Sequence, residues 1–256
     1  MEQLTLVKVG GKVVEEQDSL NVLLNEFSRI KGYKVLVHGG GRSATRLSER
    51  LGIESTMVDG RRITDAATLE IVTMVYGGLV NKNIVACLQG MDINALGLTG
   101  ADMNIIRSVK RPAGEIDYGF VGDVESVDGS RLQWLIAQDI VPVIAPLTHD
   151  KKGCILNTNA DTIAAETAQA LTKYFDVTLI YCFEKKGVLF DENDDESVIT
   201  NLDKTNYMKL AKQNIIKDGM LPKLDNAFRS LEKGVKEVII TRASDIADRS
   251  GTIVHL

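Results

Sequence analysis

Two glycine-rich segments have the residue types that hold anions: Lys8-Val9-Gly10-Gly11-Lys12 and His38-Gly39-Gly40-Gly41-Arg42. Each follows a β-forming run and precedes a helical one. Backbone N–H groups and the positive end of a helix dipole then point at one spot, and glycine lets an anion approach the main chain. Loops at the carboxyl ends of adjacent parallel strands share a crevice, so the pair predicts a phosphate site. No Gly-x-x-x-x-Gly-Lys-Ser/Thr sequence occurs, which excludes the P-loop class.

Phosphoryl transfer asks little covalent chemistry of a protein; it asks for positioning and for positive charge at the transferring group. Lys8 ends an otherwise apolar strand beside Gly10-Gly11, and Lys223 sits in Asp218-Gly219-Met220-Leu221-Pro222-Lys223. Both are candidate cations, against the plainer readings of a strand-end lysine that snorkels and a surface-loop lysine. Asn157-Thr158-Asn159-Ala160-Asp161 opens a helix. Its side chains can simply cap free N–H groups, or its amides can face a substrate while Asp161 orients the lysines. Arg62, after Gly60-Arg61, offers a planar fork for a carboxylate. A competing pattern, Gly39-x-Gly41-x-x-Ala44 with Asp59 twenty residues after Gly39, imitates a dinucleotide fingerprint and makes an NAD-binding oxidoreductase the second reading. Against it, Asp59 adjoins Gly60-Arg61-Arg62 and ends no clear second strand.

The elements that must position these residues alternate short β-rich runs with amphipathic helices, which predicts a mainly parallel, open sheet covered on both faces, an α/β class. Strands are expected at 4–9, 34–38, 141–145, 177–183, 238–240 and 252–254, with several more between 93 and 127. Helices are expected at 19–31 (capped by Asp18 or Ser19), 43–51, 160–174 and from Thr64-Asp65 to about Gln89. Within the last, Leu69, Val72, Leu79 and Leu88 should be buried, and Gly77-Gly78 should pack closely against something, a second subunit included. The acidic run Asp191–Glu196 reads as a solvated loop. Without repeats or a Pro-rich hinge, residues 1–256 read as one domain of two lobes that meet near 172.

The 256 residues are 44% hydrophobic and 25% charged, globular values. A net charge of −5 gives no basic footprint for nucleic acid, so local cations must hold any phosphate. Met1-Glu2-Gln3-Leu4 has no basic leader, and no apolar run approaches the ~18 residues of a membrane helix. The expected location is cytoplasmic, with neither nucleic acid nor membrane as partner. Cys87, Cys154 and Cys182 are odd in number and form no Cys-x-x-Cys, so they are expected to be buried free thiols. Three histidines, His38, His149 and His255, are poor material for a zinc site or a Ser-His-Asp triad, and no protein-held metal is expected.

Taken together, Lys8–Gly11, His38–Gly41, Gly60–Thr64, Asn157–Asp161 and Asp218–Lys223 resemble the amino acid kinase family, and in particular its members that phosphorylate acylated glutamate. Val80-Asn81-Lys82, Val121–Val127 and Pro142–Pro146 extend the likeness over essentially the whole chain. The resemblance implies a three-layer αβα sandwich and ATP-dependent phosphorylation of the γ-carboxylate of N-acetyl-L-glutamate in arginine biosynthesis. It implies that the N-terminal lobe, about 1–172, binds the acylglutamate and forms a homodimer, and that 173–256 binds ATP. By motif, Lys8 and Lys223 would stabilise the γ-phosphoryl group, Asp161 would hold both, and the amides of Gly11 and Gly41 would donate to its oxygens. Gly40, Gly41, Arg62, Asn157 and Asn159 would contact the acylglutamate. The nucleotide would meet Lys8, Gly10, Gly11, Phe183, Glu184, Lys185, Gly187, Gly219, Met220 and Lys223, with Mg2+ held mainly by its phosphates. No general base is needed, because the attacking carboxylate is ionised at pH 7.

Three positions depart from the family pattern. Glu184 stands where an aspartate is usual, Met103 where a glycine is usual, and Arg61 where an apolar residue usually precedes the substrate arginine. A cation there suggests, as an alternative, an acyl group with its own carboxylate, as in N-succinyl-L-glutamate. Arginine-inhibited members carry an extra N-terminal helix that also builds a hexamer. With seven residues before Lys8, the expectation is a homodimer without arginine feedback.

Overall fold

The computed structural model describes residues 1–58, 61–217 and 219–256. Its centre, among those residues, is an eight-stranded sheet. The strand order is Asn201–Leu202, Thr252–Val254, Glu237–Arg242, Asp176–Phe183, Gln3–Val9, Tyr33–His38, Val141–Ile144, Ala95–Leu98. Every ladder is parallel except that between Glu237–Arg242 and Thr252–Val254.

Gln3–Val9 lies inside this sheet, and its alternation organises the layers. Leu4 and Leu6 belong to one apolar cluster, Val7 and Val9 to another, as period-2 side chains on opposite faces must. The first cluster is closed by helices Gly129–Ile136, Ala160–Leu171, Lys204–Lys212 and Met220–Glu232, the second by Gln17–Arg29, Gly41–Arg50 and the long helix from Ala66 to Gln89. The expected three-layer αβα sandwich is therefore present. Lys8, two residues after Leu6, falls on the first face, towards the helix that starts at Ala160. A four-stranded sheet (Ile155–Asn157, Leu147–His149, Ile106–Lys110, Gly122–Val127) and a ribbon of Met57–Val58 with Arg61–Arg62 accompany the main sheet.

Several expectations need correction. The first long helix runs over Gln17–Arg29 with Glu16 before it; Ser19 lies inside the first turn and bonds Glu16 instead of capping. Its core positions, Leu20, Leu23, Leu24 and Phe27, follow the expected spacing. The helix after Asp65, which caps it through Thr68 N, is not uniform: Thr73–Val80 is π-helical between α segments Ala66–Val72 and Asn81–Gln89. The wider turn shifts the phase, so Leu79 is 58% exposed and Val80 is buried in its place. Of the glycine pair, a Cβ on Gly77 would touch Leu147 and Thr99, whereas one on Gly78 would meet nothing. This helix is long and apolar enough to cross a membrane by length and composition, contrary to the sequence expectation. Its Ile71, Val72, Val75, Ile84 and Leu88 pack instead into the second cluster.

Of the thiols, all free, only Cys182 is buried; Cys87 is half-buried and Cys154 exposed, in the turn closed by Asp150. Met103 has φ 53°, the left-handed region that explains why glycine is usual there.

Candidate active site

Asp161 follows Asn159, whose side-chain oxygen caps the helix by accepting from Asp161 N and Thr162 N at 2.8 and 3.1 Å. This places the Asp161 carboxylate at the first turn, facing Lys8. Lys223 occupies the first turn of Met220–Glu232, the neighbouring helix on the same face of the sheet. The result is a bridged triad: Lys8 Nζ is 2.8 Å from Asp161 Oδ1, and Lys223 Nζ is 2.8 Å from Oδ2. Burial pushes the Asp161 carboxyl up, but the two ammonium groups outweigh it and hold it down at about 2. Burial also pulls Lys8 below its ordinary value, against the opposing pull of Asp161, and nearby Lys223 adds to the fall. Two cations on one carboxylate leave net positive charge at the ends of the central strands. Lys8 is thus more than a snorkelling strand end, and Lys223 is no surface-loop lysine.

The two glycine loops touch main chain to main chain. A Cβ on Gly39 would lie 3.0 Å from Gly11 N, and one on Gly11 would lie 3.3 Å from Gly40 N. Helices begin at Gly11 and Gly41, so their first amides have no intrahelical acceptor. The Gly10 amide is committed to Cys182 O at 3.1 Å, and that of Gly39 to Val9 O at 3.0 Å.

Beside the loops lies a cavity of about 180 Å³ lined by Gly39, Gly40, Gly41, Arg61, Arg62, Tyr76, Arg111, Asp123, Asn157 and Asn159, among others. Arg62, 6% exposed, is braced by Gly41 O at 2.8 Å, Thr45 Oγ1 at 2.7 Å and Ser55 Oγ. Asn157 Nδ2 donates to Thr64 Oγ1 at 3.0 Å. Arg111 is paired with Asp123. A second cavity, about 160 Å³, opens between the segment that follows Asp176–Phe183 and the start of Met220–Glu232; Phe183, Lys185, Gly187, Ile216 and Met220 line it. Glu184 stands apart from it, 3.5 Å from Lys12 Nζ, and Gly219 adjoins it only through Met220. The acidic run 191–196 folds back on this side: Lys185 pairs with Asp195, Lys186 with Glu196 and Lys217 with Glu192.

Expected site residues thus gather into a charge triad, a double amide cradle and two cavities. Asp59, Gly60 and Asp218 lie outside the described residues. Tyr76, Thr45, Ser55, Arg111 and Ile216 were not singled out from the sequence. Tyr76 had a signal, an aromatic immediately before Gly77-Gly78; Arg111 had none, since its place depends on the pairing of Ile106–Lys110 with Gly122–Val127. Among the described residues no cluster of three His, Cys, Asp or Glu could hold a metal.

Residues 3–242 match the model of the amino acid kinase family. An acetylglutamate kinase of Parabacteroides distasonis is 66% identical over 254 residues, covering 99% of this chain and 100% of the relative. Among solved structures, a Streptococcus mutans UA159 protein superposes with a TM-score of 0.81 at 25% identity, over 98% of both chains. A carbamate kinase from Giardia lamblia bound to AMP-PNP shares the fold, with a TM-score of 0.69 at 13% identity over 98% of this chain and 97% of the other.

Proposed function

The chain belongs to the amino acid kinase family, and from that premise we propose that it transfers the γ-phosphoryl group of ATP to the γ-carboxylate of N-acetyl-L-glutamate. The observation that carries this reading is Asp161 bridging Lys8 and Lys223 beside two apposed glycine loops. The relatives' activity supports the acceptor.

In this reading a γ-carboxylate oxygen forms a bond to the γ-phosphorus while the bond to the bridging oxygen of ADP breaks. No proton moves, so no base is required. Lys8 and Lys223 neutralise the charge spread over the transferring oxygens, and the amides of Gly11 and Gly41 donate to them. Asp161 holds both lysines at fixed distance. Arg62 takes the substrate α-carboxylate, with Gly40, Asn157 and Asn159 around the rest of the acylglutamate. The base and ribose lie against Phe183, Gly187, Met220 and the Lys185 side of the second cavity. Mg2+ comes with the nucleotide, held by its phosphates, and adds positive charge there. The residues fit this, since the carboxylate at the triad is already paired with both lysines. The enzyme is taken to work in the cytoplasm as a homodimer, residues 1–172 binding the acceptor and 173–256 the nucleotide.

An assay in which hydroxylamine traps acyl phosphates, run with ATP and Mg2+ on N-acetyl-L-glutamate, N-succinyl-L-glutamate, L-glutamate and L-aspartate, tests the reading. Product from an acylated glutamate is expected; none from either, with folded protein, overturns it. The succinyl alternative retains one observation in its favour: exposed Arg61 lines the acceptor cavity. If Arg61 reads a distal carboxylate, Arg61→Leu lowers the succinyl-to-acetyl activity ratio, and an unchanged ratio removes that role. The dinucleotide reading is set aside by the family match.

A further inference from the structure

His38 is fully buried at the base of the second glycine loop and does nothing in the mechanism above. Its ring is held at both nitrogens. Nδ1 lies 2.7 Å from the carbonyl oxygen of Gly39, and Nε2 lies 3.1 Å from Asn81 Nδ2. The orientation of the Asn81 amide is itself determined. Nδ2 also donates to Val143 O at 2.9 Å, while Oδ1 accepts from Lys82 Nζ at 3.1 Å. A flipped amide would set oxygen against carbonyl and N–H against ammonium. Since the Gly39 carbonyl can only accept and Asn81 Nδ2 can only donate, the His38 proton sits on Nδ1 and Nε2 is bare.

The consequence reaches the loop through one rigid unit. A trans peptide is planar, with C=O and N–H pointing opposite ways. Turning the Gly39 carbonyl to His38 turns the Gly40 amide away from the ring, on the side of Gly11. The same helix supports the loop a second time: the Tyr76 ring comes within 2.9 Å of where a Cβ on Gly40 would be. Tyr76 belongs to the π-helical segment and Asn81 follows it directly, an i, i+5 pair that the wider turn brings towards one face.

Resting on the kinase reading above, we propose that Asn81 and His38 are a positioning pair: Asn81 selects the Nδ1–H form of His38, and His38 thereby fixes the peptide between Gly39 and Gly40, the turn from which the next amide, that of Gly41, meets the transferring phosphoryl group. Among the described residues, the charged group set against the ring is Lys82, on the helix of Asn81; burial and Lys82 together keep the imidazole neutral at neutral pH, against the Gly39 bond.

The first test uses the unmodified protein. With three histidines in the chain, 15N NMR of histidine-labelled enzyme at pH 7 resolves each ring. A protonated Nδ1 and bare Nε2 at His38 are expected; the opposite tautomer overturns the proposal. The catalytic consequence is read in two variants of opposite design. An asparagine side chain offers its donor near Nδ1, a glutamine near Nε2, so His38→Asn should retain at least about tenfold more kcat than His38→Gln, with KM values within about twofold. Removing an oxyanion donor outright costs about 10²–10³, and a misaligned amide should cost less. Asn81→Asp should leave activity at low pH but add a new descending limb as pH rises. Once the imidazolium loses a proton, the remaining one is drawn to Nε2 and the carboxylate, leaving a bare Nδ1 facing the Gly39 carbonyl. Equal kcat in the two His38 variants, or a wild-type pH profile in Asn81→Asp, refutes the pair. An inactive wild-type enzyme with the Nδ1–H form would count against the kinase reading while the tautomer assignment stands.

Discussion

Asp161 holds two cations on a single carboxylate, and that arrangement dictates what its loss does. Asp161→Asn leaves Lys8, 8% exposed, facing Lys223 without a counter-charge. An uncompensated buried charge costs about 3–5 kcal/mol, so both the urea midpoint and kcat should drop, the latter by at least about 100-fold. Lys8→Met removes the buried charge together with its partner's burden and should lose comparable activity with a smaller loss of stability. Equal stability losses in the two variants would argue against a charge-balanced triad. Acid should act in two stages. Burial holds His38 down at about 4 against an ordinary 6.5, so the unfolded chain takes up a proton the folded one refuses. The stability present above pH 6.5 is therefore lost as pH falls towards 4, a loss of roughly 3 kcal/mol at 1.36 kcal/mol per pH unit. Asp161, depressed to about 2 from 3.8, is likewise stabilising above about pH 4 and loses its contribution as pH falls through 2. Urea melts should weaken from pH 6.5 downward, and His38→Gln should flatten the slope between 6.5 and 4.

The strand and helix elements matter through how closely two of their junctions approach. Gly39 and Gly11 are in contact through main-chain atoms, so Gly39→Ala must push the loops apart by a few tenths of an ångström without removing any charge or any buried apolar group. Activity should fall by about 100-fold while the melting temperature moves little; a variant that retains full activity would mean the cradle tolerates separation. This junction was legible in the sequence because there are two such glycine runs: either alone could be a plain turn, but loops at the carboxyl ends of adjacent parallel strands share a crevice. Of the triad, Lys8 was legible as a charged end to an apolar strand, whereas Asp161 and Lys223 were legible only through the Asn157–Asp161 and Asp218–Lys223 motifs, since an aspartate at a helix start and a lysine beside Pro222 each have a plainer use. The middle of the long helix was not legible. Its residues satisfy an α-helical spacing in which Leu69, Val72 and Leu79 would share a face. The π turn is set instead by what the helix packs on, namely the Gly40 backbone under Tyr76 and the Val143 carbonyl under Asn81. Arg111 was invisible because its position follows from strand pairing across a loop. Helices Gly129–Ile136, Lys204–Lys212 and Met220–Glu232 also passed unmarked: the first two span little more than two turns, and Pro222 beside Gly219 gives the start of the third the look of a loop.

For the whole molecule, the same helix that steadies the glycine loop with one face presents apolar side chains on another. Met74 and Leu79, five residues apart in the π-helical segment, are 53% and 58% exposed, with Gly78 open between them. The nearest end of the main sheet is Ala95–Leu98, an edge strand with no outer partner among the described residues, where Leu96 is also partly exposed. A smooth helix face beside an open strand is costly to leave in water, and a second copy of the chain, related by a two-fold axis, can cover both at once. In the proposed homodimer the helix is thus clamped between partner and loop, and its π turn is the part shared by both contacts. Light scattering of the wild type should give twice the 28.0 kDa of one chain. Leu79→Glu adds a charge at the centre of that face without touching Tyr76 or Asn81, so it should yield monomers at micromolar concentration. Released from its partner, the helix should hold the loop less firmly, and kcat should fall several-fold with little change in KM for ATP, whose cavity lies against Phe183 and Met220. A Leu79→Glu protein that stays dimeric would move the interface elsewhere; a monomer with full kcat would show that the loop is held from within one chain.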